Sequence, residues 1–268
     1  RGKIGVPQFS QVETHDVANT TTIPITPEIS IKNIIGYRHI KDRLFNDSDG
    51  IEHPILHILR LDHTSQFTEE FQVIGDMGRF NWISGLYYFW ERGRNQGISI
   101  GNPIDPGLIE PNFRTFEEAA ANFVTIPAGS ASNTDVAARN ISYAAFVQGD
   151  FEVVSGLTAT AGIRFNTDKR RAIIRNRTAS ACRFTLDTDN DPSTPEVRPP
   201  LGNCLFTADA KFSKPTYNVG LRYEIDNDRM VYVAHRHGYR TGGFGARAAT
   251  QQGLSKTFRP EVVDDVEL

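Results

Sequence analysis

The stretch ISYAAFVQGDFEVVSGLTATAGIRFNTD, residues 141–168, carries two alternating patterns that meet across Ser155-Gly156. Tyr143, Ala145, Val147, Gly149, Phe151 and Val153 fall on one face of an extended chain, and Phe146, Gln148, Asp150 and Glu152 on the other. After the turn, Leu157, Ala159, Ala161, Ile163 and Phe165 alternate with Thr158, Thr160, Gly162, Arg164 and Asn166. Successive strand side chains point to opposite sides of a sheet, so this period of two predicts one apolar and one polar face. A soluble sandwich strand alternates in the same way, and length separates the two cases. Each arm outruns the five or six residues usual in a soluble strand and reaches the roughly 9 to 11 that a tilted strand needs to cross a bilayer. The prediction is an all-β fold: a segment of a transmembrane antiparallel up-and-down β-barrel, with short periplasmic turns and long extracellular loops.

Composition agrees. Of 268 residues, 39% are hydrophobic and 10% aromatic, and the 22 Gly and 17 Phe far outnumber the 2 Met. No window offers the 18 or more consecutive apolar residues of a membrane helix, so any crossing is made by strands. The net charge of -3 gives no reason to expect a nucleic-acid partner. The first residues, RGKIGVPQFSQ, contain no apolar core followed by a small-residue cleavage site, and the last, Glu267-Leu268, fall inside a strand pattern. The expectation is therefore a fragment of a longer chain.

Residues 1–28 are rich in Thr and Pro and read as an extended, loop-like approach. Strand patterns follow at Ile29–His39, then at Phe67–Gly75 and Phe80–Glu91 around the turn Asp76-Met77-Gly78-Arg79. Beyond the central hairpin, Lys214–Glu224 and Arg229–Arg240 form a third hairpin, and Pro260–Leu268 begins another strand. About eight strands result. Between them, 40–66, 92–140, 169–212 and 241–259 read as long polar loops, and Thr115–Phe123 is compatible with a short helix capped by Thr115. Short and long connections thus alternate, as in an up-and-down barrel, whereas a soluble domain rarely carries several loops above about 15 residues. Phe80, Trp82, Tyr87, Tyr88, Phe89, Trp90 and Tyr239 cluster near strand ends, as interfacial girdles require. His235 and His237 share the parity of Val231 and Val233, a lipid-facing set. Either they lie close to the membrane interface or the parity shifts at a bulge.

Five phrases, IKNIIGYR (31–38), FTEEFQVIG with NWISGLYYFWE (67–91), YAAFVQGDFEVVSGLTATAGIRFNTDKR (143–170), KPTYNVGLRYEIDNDRMVYVAHRHGYRTGGFGAR (214–247) and FRPEVVDDVEL (258–268), resemble the barrel of TonB-dependent outer-membrane receptors. The resemblance covers about half the chain, in family order. It implies residence in the outer membrane of a Gram-negative bacterium, among its lipids, and a barrel of about twenty-two strands with an N-terminal plug inside. Residues 1–268 would then be a partial barrel domain without the plug. The resemblance further implies import of a scarce, bulky nutrient, energised by the TonB-ExbB-ExbD complex through a segment outside these residues. The commonest ligand class is an iron-siderophore chelate, with haem, cobalamin and oligosaccharides as rivals. The alternatives are a passive outer-membrane channel and a soluble secreted β-sandwich that binds glycans.

Candidate chemistry is sparse, and no enzyme activity, cofactor or resident metal is expected. Gly97-Ile98-Ser99-Ile100-Gly101 matches a nucleophile pattern but lacks the strand-to-helix setting that chemistry needs. His53, His57 and His63 read as scattered loop histidines in preference to a metal or haem cluster. Asp187, Asp189 and Asp191 alternate as in calcium loops, but Pro192 replaces the turn glycine and Arg198 the bidentate Glu. An EF-hand is excluded; a solvated acidic loop or a looser calcium site is left. Cys182 and Cys204 share one extracellular loop, and an even count in an oxidising compartment favours a disulfide. Gln148, Asp150, Arg164, Arg222, Arg236 and Arg240 fall on polar parities and are expected to face the lumen, either pairing with each other and the plug or steering an anionic ligand.

Overall fold

A computed structural model describes residues 8–48, 56–101, 131–189, 191 and 193–268. In chain order the strands are β1 (Phe9–Pro24), β2 (Ile29–Asp47), β3 (Leu56–Asp76), β4 (Phe80–Gly101), β5 (Ala131–Val154), β6 (Leu157–Ile174), β7 (Arg177–Thr178), β8 (Phe206–Asp226), β9 (Arg229–Arg240), β10 (Gly243–Phe244), β11 (Thr257–Phe258) and β12 (Glu261–Glu267). One short helix, α1 (Gln251–Ser255), lies between β10 and β11. A single antiparallel sheet runs β1-β2-β3-β4-β5-β6-β8-β9-β12, with β7 paired to β5, and β10 pairs with β11 apart from it. Each long strand pairs with its neighbour in sequence, the meander of an up-and-down barrel wall. No helix among the described residues is long and apolar enough to cross a membrane.

The central hairpin sets the register. Ala145 lies opposite Phe165, Val147 opposite Ile163 and Phe151 opposite Ala159, so the apolar sets of both arms share one face. Leu86, Val219, Leu221 and Val231 extend that face across the neighbouring strands. It is the bare one: Leu86 is 62% exposed and Phe165 59%, while the carboxylate-bearing Asp168 on the opposite face is 8% exposed. A sheet that exposes its large apolar side chains along one continuous face is inverted relative to a soluble domain, as a lipid-facing wall requires. We call the polar face inner.

Four short turns, 25–28, 77–79, 155–156 and 227–228, close one end of the sheet. Gly78 (φ 72°) and Gly156 (φ 82°) occupy the left-handed region that such turns demand and that a Cβ penalises.

Several expectations from sequence are corrected. Phe9–Pro24 is a strand, although 1–28 reads as loop; its outer face carries Asn19 and Thr21 beside Val17 and Ile23, so its alternation is too weak to notice. Pro24, which has no amide to donate, ends this edge strand. Strands β2 to β6 and β8 run far into the supposed loops 40–66, 92–140 and 169–212, and β1 brings the strands along the sheet's path to nine where about eight were expected. Above the bilayer both faces are wet, and cross-strand charge pairs replace hydrophobic alternation: Arg60 with Asp42 at 3.2 Å, Arg94 with Asp135 at 2.7 Å and Arg171 with Asp209 at 2.7 Å. The expected helix at Thr115–Phe123 lies outside the described residues.

At the upper end, away from the short turns, the two long connections after β6 and β9 fold over the inner face. Ile174, Cys182, Phe184, Cys204 and Leu254 form a buried cluster, against which Val136 and Phe206 pack from the inner parity of β5 and β8. Cys182 and Cys204 are joined by a disulfide with Cα atoms 5.3 Å apart.

Candidate functional site

The inner face is built by alternation. On β5 it presents Ser142, Phe146, Gln148 and Asp150; on β6, Arg164, Asn166 and Asp168; on β4, Tyr87 and Phe89. Arg164 is the hub. Its guanidinium stands over the rings of Tyr87 (4.9 Å) and Phe146 (5.7 Å), while Nε donates to Asn166 Oδ1 at 2.7 Å. Stacking between two rings holds the cation with a further donor edge left toward the cavity.

The six sequence candidates divide among three adjoining hollows. Gln148, Arg164 and Arg236 line one of about 340 Å³. Asp150 and Arg222 line a second of about 400 Å³ beside the short turns, where Asp150 accepts from the Thr160 hydroxyl. Arg164 and Arg240 line a third of about 440 Å³, together with Tyr87, Phe89, Asp168 and Tyr239. All the arginines have partners: Arg222 meets Glu224 at 3.3 Å, Arg236 meets Glu267 at 2.8 Å and Asp265 at 3.4 Å, and Arg240 meets Glu261 at 3.5 Å. They form a row of local pairs, not one convergent charge cluster.

Asp168 was absent from the sequence candidates. It accepts from the hydroxyls of Ser142 and Tyr239, the latter at 2.8 Å, and faces Arg170 at 3.6 Å. The signal for it was available, since it continues the Arg164, Asn166 parity by one step. The supposed girdle is likewise two sets. Phe80, Trp82, Tyr88 and Trp90 have the outer parity of β4, whereas Tyr87 and Phe89 have the inner one, and Tyr239 lies beyond the last β8–β9 pair and bonds to inner Asp168.

The histidine question resolves on register. From Val231 to His237, β9 pairs with β8 without a shift, so no bulge turns these residues inward. His237 stacks on Tyr217 at 4.9 Å, and both His235 (3.5 Å) and His237 (2.8 Å) reach Asp264 on β12. At about 2.5 Å of height per residue in a tilted strand, His237 stands about 20 Å above its turn, toward the far boundary of a roughly 25 Å apolar band.

The remaining motifs have no chemistry among the described residues. Gly97–Gly101 is plain strand at the end of β4. His63 neighbours His39 on β2, with ring centroids 6.5 Å apart, His53 lies outside the described residues and so does the side chain of His57. No group of three potential metal ligands occurs among the described residues. Asp187, Asp189 and Asp191 cap successive amides of their own loop, Asp189 N to Asp187 at 3.2 Å and Asp191 N to Asp189 at 3.0 Å. The Ser193 hydroxyl and amide hold Asp191 below the usual carboxylate range.

Two loops meet above the inner face through Glu196. Its carboxylate accepts from the Thr185 hydroxyl and from the amides of Gln251 (3.0 Å) and Gln252 (3.2 Å) at the start of α1. The Thr185 hydrogen bond first, then the two amides, lower its pKa.

Comparison with known proteins now fits this geometry. The family model described as TonB dependent receptor-like, beta-barrel matches residues 13–268. This chain belongs to the TonB-dependent receptor β-barrel family. Its fold is similar to the ferric yersiniabactin uptake receptor FyuA of Yersinia pestis, at 16% identity and TM-score 0.68 over 98% of this chain and 34% of that one. It is also similar to the siderophore receptor PiuA of Acinetobacter baumannii, at 13% identity and TM-score 0.60 over 97% of this chain and 37% of that one. The copper transporter OprC gives 11% identity and TM-score 0.58 over 95% and 36%. The chain therefore spans about a third of the length of these receptors. As a member of this receptor and transporter family it is a β-barrel protein of the Gram-negative outer membrane.

Proposed function

We propose that the chain is part of the barrel domain of an energy-coupled importer whose ligand is an iron-siderophore chelate. The observation that carries the reading is the inner wall below the loop cluster: Arg164 held between Tyr87 and Phe146, with Asp168, Tyr239 and Arg240 around the same 440 Å³ hollow. Aromatic faces with a fixed guanidinium suit a bulky, partly apolar and partly anionic chelate better than a small hydrated ion. The named activities of FyuA and PiuA point the same way, and that of OprC keeps another metal within the class.

In this reading the upper loops capture the chelate, and movement of a plug, supplied by residues outside this chain, opens the path along the inner wall. The TonB-ExbB-ExbD complex provides the energy through the same outside part. The residues described bind, orient and pass on the ligand; none is assigned bond-making chemistry.

The test is uptake of radio-iron siderophores by cells that depend on the complete receptor for growth in low iron. Import that stops on collapsing the proton gradient or deleting TonB supports the proposal. Import that continues unchanged identifies a passive channel. Arg164→Gln is expected to weaken chelate binding several-fold at unchanged receptor level, because the amide lacks both the charge and the ring-stacking plane.

A further inference from the structure

The wall forks between β8 and β9. Their ladder climbs from the short turn to Tyr217 opposite His237 and ends there, although β8 stays paired with β6 as far as Phe206 and β9 with β12 as far as Arg240. Continued in that register, the ladder would set Tyr239 opposite Pro215, which has no amide to donate. Tyr239 shares the outer parity of His235 and His237, yet at the fork it turns to the inner face and its hydroxyl donates to Asp168 on β6 at 2.8 Å. That bond fixes the root of the connection 241–260. Gly242 and Gly243 are buried just beyond it, and a Cβ on Gly242 would lie 2.8 Å from Phe212 Cε1 of β8. Farther on, the Asn176 side chain donates to the Ala246 carbonyl at 3.0 Å and the Thr185 amide to that of Ala249 at 2.9 Å. The connections after β6 and β9 are thereby tied into one body.

Asp168 has one donor too many. It is sheltered and accepts from the hydroxyls of Ser142 and Tyr239, while Arg170 Nη2 stands 3.6 Å from Oδ1, beyond a hydrogen bond. Arg170 is left short in turn. Its Nε is buried with no hydrogen-bond partner among the described residues. Its cross-strand neighbours are Asn140, which already donates to Glu91 at 2.7 Å, and Ala210. A sheltered guanidinium with an unmet donor favours any arrangement that brings a carboxylate closer. Once Tyr239 leaves Oδ2, the Asp168 carboxylate is free to turn toward Arg170.

We propose that Asp168 is a two-position acceptor that couples ligand entry to the extracellular connections. In the position seen it holds Tyr239 across the inner face and fixes the root of the connection. An anionic ligand oxygen in the 440 Å³ hollow, which Asp168 and Tyr239 both line, accepts from the Tyr239 hydroxyl in its place. Asp168 then turns to Arg170, and the ion pair that forms offsets the lost bond and favours the released state. Asp168 and Arg170 act through Tyr239 and are positioning residues. The trigger rests on the chelate reading; the exchange of partners does not.

Amide exchange at residues 240–244 of the complete receptor in micelles, without ligand, reads the released fraction even where it is small. Tyr239→Phe removes one hydrogen bond to a charged acceptor and is expected to speed exchange about tenfold. Arg170→Gln removes the partner that Asp168 gains on release and is expected to slow it about fivefold. A substitution that merely loosened the wall would speed exchange, so the opposite sign is the signature. Arg170→Lys keeps the charge and is expected to restore most of the parent rate. Heat-resistant electrophoretic mobility checks that each variant barrel is folded. Whichever of ferric citrate, a ferric catecholate and a ferric hydroxamate binds is expected to speed exchange at 240–244 in the parent. Opposite signs for the two variants with no response to any of the three support the exchange of partners and count against the chelate. The proposal is overturned if Arg170→Gln speeds exchange or leaves it unchanged, or if Tyr239→Phe does not speed it.

Discussion

Glu196 joins two loops with one carboxylate, and its protonation has a definite sign. Its pKa in the folded chain lies below the usual 4.5, because Thr185 and the amides of Gln251 and Gln252 donate to the ionised form. A depressed folded pKa means that the contribution is fully present above about pH 4.5 and is lost as pH falls through the lower folded value. Amide exchange at Gln251 and Gln252, corrected for intrinsic rate, is expected to be slow at pH 7 and to accelerate below pH 4. In Glu196→Gln it should be fast at both. Protection that ignores pH and substitution alike would remove Glu196 from this role. The disulfide acts on the same loop from its other side. Closing a separation of 22 residues restricts the unfolded loop by about 3 kcal/mol in the chain-entropy account. Cys182→Ser with Cys204→Ser is therefore expected to speed proteolysis between 183 and 203 by up to about 100-fold, with the barrel's heat-resistant mobility unchanged.

At the scale of the element, the strands tolerate little added bulk where they approach closely. A Cβ at Gly85 would lie 2.5 Å from the carbonyl oxygen of Phe71 and 2.6 Å from Phe146 Cζ. Backbone cannot give way as a side-chain tip can, so Gly85→Ala is expected to cost about 1 to 3 kcal/mol, read as a lower urea midpoint for the barrel in micelles. An unchanged midpoint would mean that β3 and β4 separate freely there. Elements also show where sequence is legible. Residues 141–168 could be read because lipid on one side and a sheltered polar face on the other force strict alternation. The upper parts of β2 to β6 could not, because Asp42, Arg60, Asp62 and Arg171 lie toward the wet strand ends and carry no apolar period. The inner arginines followed from parity alone. Their partners did not: Glu267 and Glu261 lie 31 and 21 residues from Arg236 and Arg240 in the chain, and only strand order brings them together. The loop cluster was equally hidden, since Phe184 and Leu254 meet only through the fold of two separate connections.

At the scale of the whole molecule, the sheet is a wall with two bare borders. Among the described residues β1 pairs only with β2 and β12 only with β9, so each presents an unpaired row of amides and carbonyls. A closed barrel removes such edges, and in a hydrocarbon solvent each unmet backbone group costs several kcal/mol. The outer face adds a second liability, because Leu86, Phe165, Val219 and Val231 are 48% exposed or more and form one continuous belt. A belt of that extent is not found on a soluble monomer without a partner. Residues 1–268 expressed alone in water are thus expected to form large aggregates by size exclusion. Detergent is expected to disperse them only in part, since micelles cover the belt but not the edges. A detergent-free monomer with the sheet intact would contradict both arguments at once. It would require the apolar belt to be buried against the chain itself, the arrangement of the glycan-binding sandwich that the inverted exposure of Phe165 and Asp168 speaks against.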